Sequence, residues 1–361
     1  MEYTEEFEDI PSKEHVETVM EGIADTITGN EGYDLTHAQH YLQGVLFANN
    51  LLPSAQYHGT EGVWSTIKAG LQKAWQYVSD MVKKVFNFLF GSKKKEEVVE
   101  LEISFKNLEK TAQIKPTSDK AEAKEQVKEL VSNTKKMVSV TTAAGGGNEN
   151  KELSKRLENL AELQSDLTKM DDPAKVKELT EKAIKEYKEA ASRSIEVCAK
   201  KDIDKAEYTI RTLERLLKDM QGIHSEHMVN GEIHFDMSGL TAATEKYLNA
   251  LRKWPEGLKE FKTLNQAPAY ISKARSIMTA IKHSRQDFDE SDKYFLRKLS
   301  DYKSLINKPD LEESKRKELK EALRVAGVGI HAVGEVGKTI SKFITTTIEF
   351  VDCYALKYNN V

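Results

Sequence analysis

The chain has 361 residues, of which 39% are hydrophobic and 31% are charged, and its formal net charge is −4. This balance favours thin amphipathic helices that each bury one stripe over a thick α/β core. The first residues lack the basic and apolar regions of a secretory signal, and no apolar run reaches membrane-spanning length. We therefore expect Cys198 and Cys353 to be free thiols.

Acidic residues are concentrated at the N-terminus. Residues 1–60 contain eleven Asp or Glu and a single basic residue, Lys13, whereas the rest of the chain carries 53 basic and 47 acidic residues. We interpret residues 1–61 as an acidic leader, either a solvated tail or a segment that is shielded, bound or cleaved as a propeptide. The remaining body would tolerate polyanions.

Residues 62–90 form the most unusual predicted helix. Together with Lys93 to Lys95, the segment 62–95 contains seven Lys and one Asp. Its apolar face would contact a membrane or a partner through Trp64, Ile67, Leu71, Trp75, Val78, Val85, Phe88 and Leu89. A cationic helix with aromatic residues fits an interfacial membrane helix, and it equally fits a bundle helix with a solvated back. Exposure of Trp75 distinguishes these alternatives.

The remainder divides into three predicted parts. Residues 62–140 comprise the aromatic helix, a Lys-rich linker and a helix after Pro116, residues 141–150 form a Gly-rich linker, and residues 151–361 form a helical body. In the body, helical spacing and caps predict helices over 153–167, after Asp172-Pro173, after Asp202 until Gly222, and over 238–254, 268–284, 290–307 and 310–326.

One segment of the body breaks the helical pattern. The Asn230-Gly231 pair lies in Met228-Val229-Asn230-Gly231-Glu232-Ile233 and favours a type I′ turn between two short strands. The predicted fold is therefore all-α, a multi-helix elongated bundle with one small β-hairpin near residue 230.

The C-terminal segment 323–351 is a second apolar stretch with several glycines. It predicts a buried terminal helix or a self-association surface. Its residues 332–339 match a relaxed phosphate-loop pattern, but a phosphate loop needs a preceding strand and a downstream acidic residue on another strand. Because the match lies within helical periodicity, we expect no nucleotide site.

The sequence contains no strong catalytic or metal-binding motif. Histidines at 37 and 40 and at 224 and 227 have an i, i+3 spacing, with His234 nearby, but neither pair has the zinc-protease arrangement. No Gly-x-Ser-x-Gly, Cys-x-x-Cys or Gly-x-Gly-x-x-Gly motif occurs. We predict a protein that is not an enzyme and that has no metal and no cofactor.

Two short stretches repeat, at Glu21-Gly22 and at Glu61-Gly62, each followed by an aliphatic residue and a Thr-Ile. An acidic leader, a Glu-Gly junction and a Lys-rich helical remainder resemble the internal head proteins of large tailed bacteriophages. In that family a prohead protease cuts after Glu in small-x-Glu or aliphatic-x-Glu sites. The resemblance implies processing at Glu21, Gly22, Glu61 and Gly62, although Gly59 replaces the commoner Ser, Ala, Leu or Ile.

Three functions compete at this point. The first is a non-enzymatic phage virion protein, synthesised in the host cytoplasm and located in the head interior, which loses its leader and can be ejected with DNA. Its implied partners are other virion proteins, the prohead protease and weak non-specific DNA. The second is a membrane-active helical protein of pore-forming type that inserts residues 62–90 into a membrane surface. The third is a cytoplasmic helical scaffold.

Overall fold

The computed structural model describes residues 11–28, 35–51, 59–227, 232–306, 308 and 311–357. Within these residues the fold is all-α. The helices are α1 (Lys13–Thr28), α2 (His37–Ala48), α3 (Gly59–Phe90), α4 (Ser92–Ala112), α5 (Lys120–Ala143), α6 (Gly147–Lys169), α7 (Pro173–His227), α8 (Ser238–Leu251), α9 (Lys253–Glu260), α10 (Ala267–Ile306) and α11 (Glu313–Tyr354), with a short 3₁₀ helix at Leu264–Gln266.

The predicted β-hairpin is not supported. No strand occurs in the part of the chain that the structure describes, and Asn230 and Gly231 lie outside that part. On the N-terminal side, α7 remains helical as far as His227. On the C-terminal side, the chain makes a bend at Glu232 and Ile233 and then runs without strand partners to α8.

Local sequence explains where several helices begin. Asp119 caps α5 by accepting a hydrogen bond from the Glu122 amide at 2.8 Å. Asp172 precedes Pro173 and accepts from the Ala174 amide at 3.0 Å, so the predicted restart at this pair is confirmed. A side-chain acceptor satisfies an amide that has no partner in the first helical turn, and proline has no amide to satisfy.

The helices are longer than predicted. Helix α7 continues through Asp202 and Gly222, where sequence reasoning placed a restart and an end. Asp202 is buried and lies 3.4 Å from Lys205 one turn later, so it is accommodated in the helix and does not cap a new one. Gly222 has open space around its Cβ position, and a helical glycine costs only about 1 kcal/mol relative to alanine.

Two predicted breaks later in the chain are also absent, and one helix predicted to be continuous is divided. Helix α10 replaces the two predicted helices at 268–284 and 290–307. The intervening residues contain no proline or glycine, and Ser284, Phe288 and Ser291 are buried at a helical spacing. Helix α11 likewise continues from residue 313 to the C-terminal apolar segment. Conversely, the helix predicted over 238–254 is divided into α8 and α9 at Arg252.

Within the segment 141–150, predicted as a Gly-rich linker, only residues 144–146 lie between two helices. Helix α5 ends at Ala143 and α6 begins at Gly147. Gly145 has a φ of +87°, a left-handed conformation that glycine adopts without strain. A Cβ on Gly146 would lie 2.6 Å from the Thr141 side chain. Backbone conformation and close packing therefore account for these glycines.

The chain forms two compact units. Unit 1 contains residues 1–94, 212–248 and 281–340, and unit 2 contains residues 95–211, 249–280 and 341–361. In unit 1, α3 contacts α10 through an edge-to-face pair of Phe86 and Phe295, whose ring centroids are 6.0 Å apart. Phe295 also packs against Phe235, with ring centroids 4.7 Å apart. Aromatic pairs of this kind add to the stabilisation from burial itself.

Unit 2 surrounds the C-terminal end of α11. Tyr187 donates its hydroxyl to the carbonyl of Tyr354, and Asn133 donates its side-chain amide to the carbonyl of Ala355 at 2.8 Å. These two bonds satisfy carbonyls that the helix end leaves without helical partners. Cys198 and Cys353 are buried free thiols, as predicted, and burial raises the pKa of Cys353 to about 12.

Candidate interaction surface

The N-terminal acidic segment folds as two helices that pack together. We call α1 and α2 the N-terminal helix pair. Their buried apolar side chains are spaced by three and four residues and comprise Val16, Val19, Met20, Ile23, Ala24, Ala38, Leu42 and Leu46. This periodicity places them on one face of each helix. The acidic leader therefore contains a folded, hydrophobically packed element, at least over residues 13–28 and 37–48.

Gly22 brings the two helices into close contact. A Cβ at this position would lie 2.4 Å from the Ala38 carbonyl oxygen and 2.9 Å from the Leu42 Cβ. Real Cβ atoms do not approach backbone oxygen this closely, so only glycine allows the observed separation. The residue that sequence analysis assigned to a protease site thus has a packing role.

The helix pair also packs against α11. Met20 lies against Gly327, with its Cγ 3.3 Å from the position that a Cβ would take. Asp25 accepts hydrogen bonds from Lys320 of α11 and, at 2.7 Å, from the Thr36 hydroxyl. Thr36 caps α2 in a capping box, because its hydroxyl accepts from the Gln39 amide at 3.2 Å. One buried carboxylate therefore connects α1, α2 and α11.

Charges at this contact are complementary. Burial raises the pKa of Glu17, whereas Lys13 and Arg324 of α11 act in the opposite direction. Lys13 also lies 3.8 Å from Asp219 of α7. Pairs between exposed side chains contribute about 0.2–1 kcal/mol each, whereas each fully buried aliphatic side chain contributes about 1.5–3 kcal/mol. Apolar burial therefore stabilises the contact, and the charges orient it.

The predicted processing residues lie in helices. Glu21 is exposed, but Gly22 is buried in the middle of α1. Proteases cut preferentially in exposed, locally open chain, so a cut after Glu21 requires α1 to unfold. Glu61 and Gly62 lie in the first turn of α3, and their side chains fall outside the part that the structure describes.

The apolar face of α3 is packed where the structure describes it. Trp75 is only 4% exposed, and Val78 and Val85 are also buried. Leu71 and Phe88 are partly buried, while the side chains of Trp64, Ile67 and Leu89 lie outside the described residues. Among the described helices, none is long and apolar enough to span a bilayer. This part of the face has the burial expected of a bundle helix.

The C-terminal apolar face is filled by the chain itself. Ile330, Val333, Val336, Ile340 and Phe343 are all buried, so a self-association surface in this segment would have to be uncovered first. Residues 332–339 are helical throughout, with the Thr339 hydroxyl donating to the Glu335 carbonyl at 2.8 Å. Because the backbone amides are part of the helix, this match to the phosphate-loop pattern provides no phosphate cradle.

Histidine spacing does not lead to a metal centre in the described part of the chain, which contains no group of three or more potential ligands. The side chains of His224 and His227 lie outside that part, and His234 is exposed. The His234 carbonyl accepts a hydrogen bond from Tyr302 at 3.0 Å.

No known protein family, curated protein or solved structure matches this chain. The surface formed by the N-terminal helix pair, α3 and α11 is therefore interpreted from its own geometry. Sequence reasoning treated the helix pair only as an acidic leader, although the Thr36-x-x-Gln39 capping box and the spacing of Val16, Met20 and Ile23 were visible signals.

The packing of α3 predicts the fluorescence of Trp75. In a variant in which Trp64 and Trp254 are replaced by phenylalanine, Trp75 should emit as a buried indole and resist quenching by acrylamide. Anionic liposomes should leave its emission unchanged, because the apolar face is already covered. A blue shift or an intensity change that requires liposomes would contradict this packing and favour an interfacial helix.

Proposed function

We propose that this chain is a non-enzymatic structural protein of a bacteriophage virion, internal to the head, in which the acidic N-terminal segment shields a basic body until it is removed. The observation that carries the proposal is the contact of Asp25 with Lys320, together with the position of Glu17 near Arg324. Acidic groups of the leader thus lie against basic groups near the start of α11.

The charge distribution gives this contact a consequence. Residues 315–324 of α11 include Lys315, Arg316, Lys317, Lys320 and Arg324. Lys320 pairs with Asp25 and Arg324 lies near Glu17, so removing the helix pair would take two acidic groups away from this basic segment. The chain without residues 1–61 has 53 basic and 46 acidic residues, a net charge of +7 with histidine neutral. This body would bind DNA weakly, through phosphate contacts that release counterions.

Processing is the second element of the proposal. Of the two repeated stretches, the one at Glu61-Gly62 lies at the first turn of a helix, where fraying opens the chain more readily than in the middle of α1. We therefore favour removal of residues 1–61 as a unit. Mass spectrometry of the protein from its native source tests this directly: a terminus at Gly62 supports the proposal, and an intact chain in mature particles overturns it.

Shielding can be tested in the full-length chain by DNA binding. Replacing Glu14, Glu17 and Glu21 with glutamine removes three negative charges from α1, and we expect tighter DNA binding with a steeper dependence on salt. The matched control replaces Glu158 and Glu162 with glutamine and Asp166 with asparagine, three exposed acidic residues of α6 in unit 2. Binding is measured by fluorescence anisotropy with duplex DNA across a salt titration.

The two triple variants have the same net charge, so they separate local shielding from a general charge effect. Local shielding predicts that the α1 variant binds DNA several-fold more tightly than the α6 variant at low salt. Equal affinities would show that only total charge matters and would refute the shielding role of the leader.

A further inference from the structure

A histidine of α1 connects the N-terminal helix pair to α3. His15 Nδ1 lies 2.9 Å from the Tyr41 hydroxyl of α2, and its Nε2 lies 2.8 Å from the Tyr77 hydroxyl of α3. Both rings meet the imidazole edge-on, with centroids 5.8 and 6.0 Å away. Both ring nitrogens are thus used, and one side chain bridges three helices.

This arrangement suits a neutral imidazole. In the neutral ring, one nitrogen donates to a tyrosine oxygen and the other accepts from a tyrosine hydroxyl. An imidazolium donates from both nitrogens, so the tyrosine that donated would have to turn its hydrogen away. Among the described residues, no carboxylate forms an ion pair with His15. Burial accordingly lowers the pKa of His15.

A second histidine, His331, belongs to α11. His331 Nδ1 is buried and has no hydrogen-bond partner among the described residues. Burial lowers the pKa of His331, while Glu335 and Asp219 favour its charged form and Lys338 and Lys13 oppose it. Lys13 belongs to α1, so a protonated His331 would repel a cation of the N-terminal helix pair.

We propose that acidification releases the N-terminal helix pair from α3 and α11 through protonation of His15 and His331. The contact is then a pH-dependent latch, which holds the helix pair near neutral pH and loosens below it. Release would also free Lys320 from Asp25. This inference does not depend on the virion role proposed above.

The direction of the effect follows from linkage. Both histidines have a lower pKa in the docked form than the ordinary value of 6.5, so the released form binds more protons as the pH falls below 6.5. Docking is therefore stabilised above this pH and weakened as the pH drops toward the docked-state pKa, by at most about tenfold per histidine per pH unit. Glu17 acts oppositely, because its raised pKa favours protonation in the docked form.

Hydrogen exchange on the full-length chain tests the latch. Amide protection of α1, corrected for intrinsic exchange, should fall about tenfold between about pH 7.5 and about pH 5.5, while α5 in unit 2 serves as the internal reference. The doubly substituted H15Q/H331Q chain should lose this dependence, because glutamine can donate and accept without titrating. H40Q, at an exposed histidine of α2, should behave as the wild type.

The double substitution could weaken docking of the helix pair at neutral pH, so the single variants H15Q and H331Q are measured as well. The readout is the ratio of α1 protection at the two pH values, which does not depend on the absolute level of protection. If both histidines contribute, the ratio of α1 protection at neutral pH to that at acidic pH is smaller in each single variant than in the wild type, and it is near one only in the double variant. Unchanged α1 protection in the wild type, or an equal loss in wild type and H15Q/H331Q, would overturn the proposal.

Discussion

Replacing Gly22 with alanine should detach or strain the N-terminal helix pair, with a cost of about 1–3 kcal/mol or more. The added methyl would lie 2.4 Å from the Ala38 carbonyl oxygen, a backbone atom that cannot move without shifting α2. In an unconstrained helix the same substitution would stabilise by about 1 kcal/mol, so packing must reverse the sign of the propensity effect. Urea unfolding and hydrogen exchange of α1 and α2 measure the change.

Gly44 supplies the matched control on the same helix pair. It lies on the exposed side of α2, and nothing is within 4 Å of its Cβ position. G44A should therefore stabilise the helix pair by about 1 kcal/mol. Opposite signs for G22A and G44A support the close contact of α1 with α2, whereas stabilisation by both would show that the acidic segment is not packed in this way.

The helical class could be predicted because its signal is local. Periodic leucines and the Asp172-Pro173 restart act within one or two turns, and these features were correctly interpreted. Helix ends were harder. Asp202 is typical of a helix start and Gly222 of a helix end, but each costs at most about 1 kcal/mol inside a helix. Near Gly222, burial of Leu217 and Met220 exceeds that cost.

The interaction surface could not be predicted because its contacts are remote in sequence. Asp25 and Lys320 are 295 residues apart, and nothing in either local pattern specifies the other. Gly22 was assigned to a protease motif, since a glycine needed for tertiary contact has no local signature that distinguishes it from one at a cleavage site. The high acidic content of residues 1–61 favours a solvated leader, whereas their regular apolar spacing, which is the local signal for packed helices, is the weaker feature of the composition.

Replacing Phe343 should have the second large effect, and it tests whether the C-terminal apolar face is part of the internal core. Phe343 is 0% exposed in unit 2 and meets Trp254 edge-on, with ring centroids 5.2 Å apart. Replacing it with alanine should lower the free energy of unfolding of unit 2 by about 3–5 kcal/mol, through lost burial and the cavity that remains. Chemical denaturation followed by circular dichroism and Trp fluorescence measures this loss.

Ile103 is the control, an apolar residue of α4 in the same unit that is 49% exposed. I103A should change stability by less than about 0.5 kcal/mol, because surface substitutions have small effects.

Sedimentation of both variants separates the two predicted roles of segment 323–351. If the face is core, F343A loses stability with no change in the association state of the folded protein. If the face joins copies of the chain, F343A dissociates an oligomer while each copy retains most of its stability, and the internal packing described for α11 would be wrong.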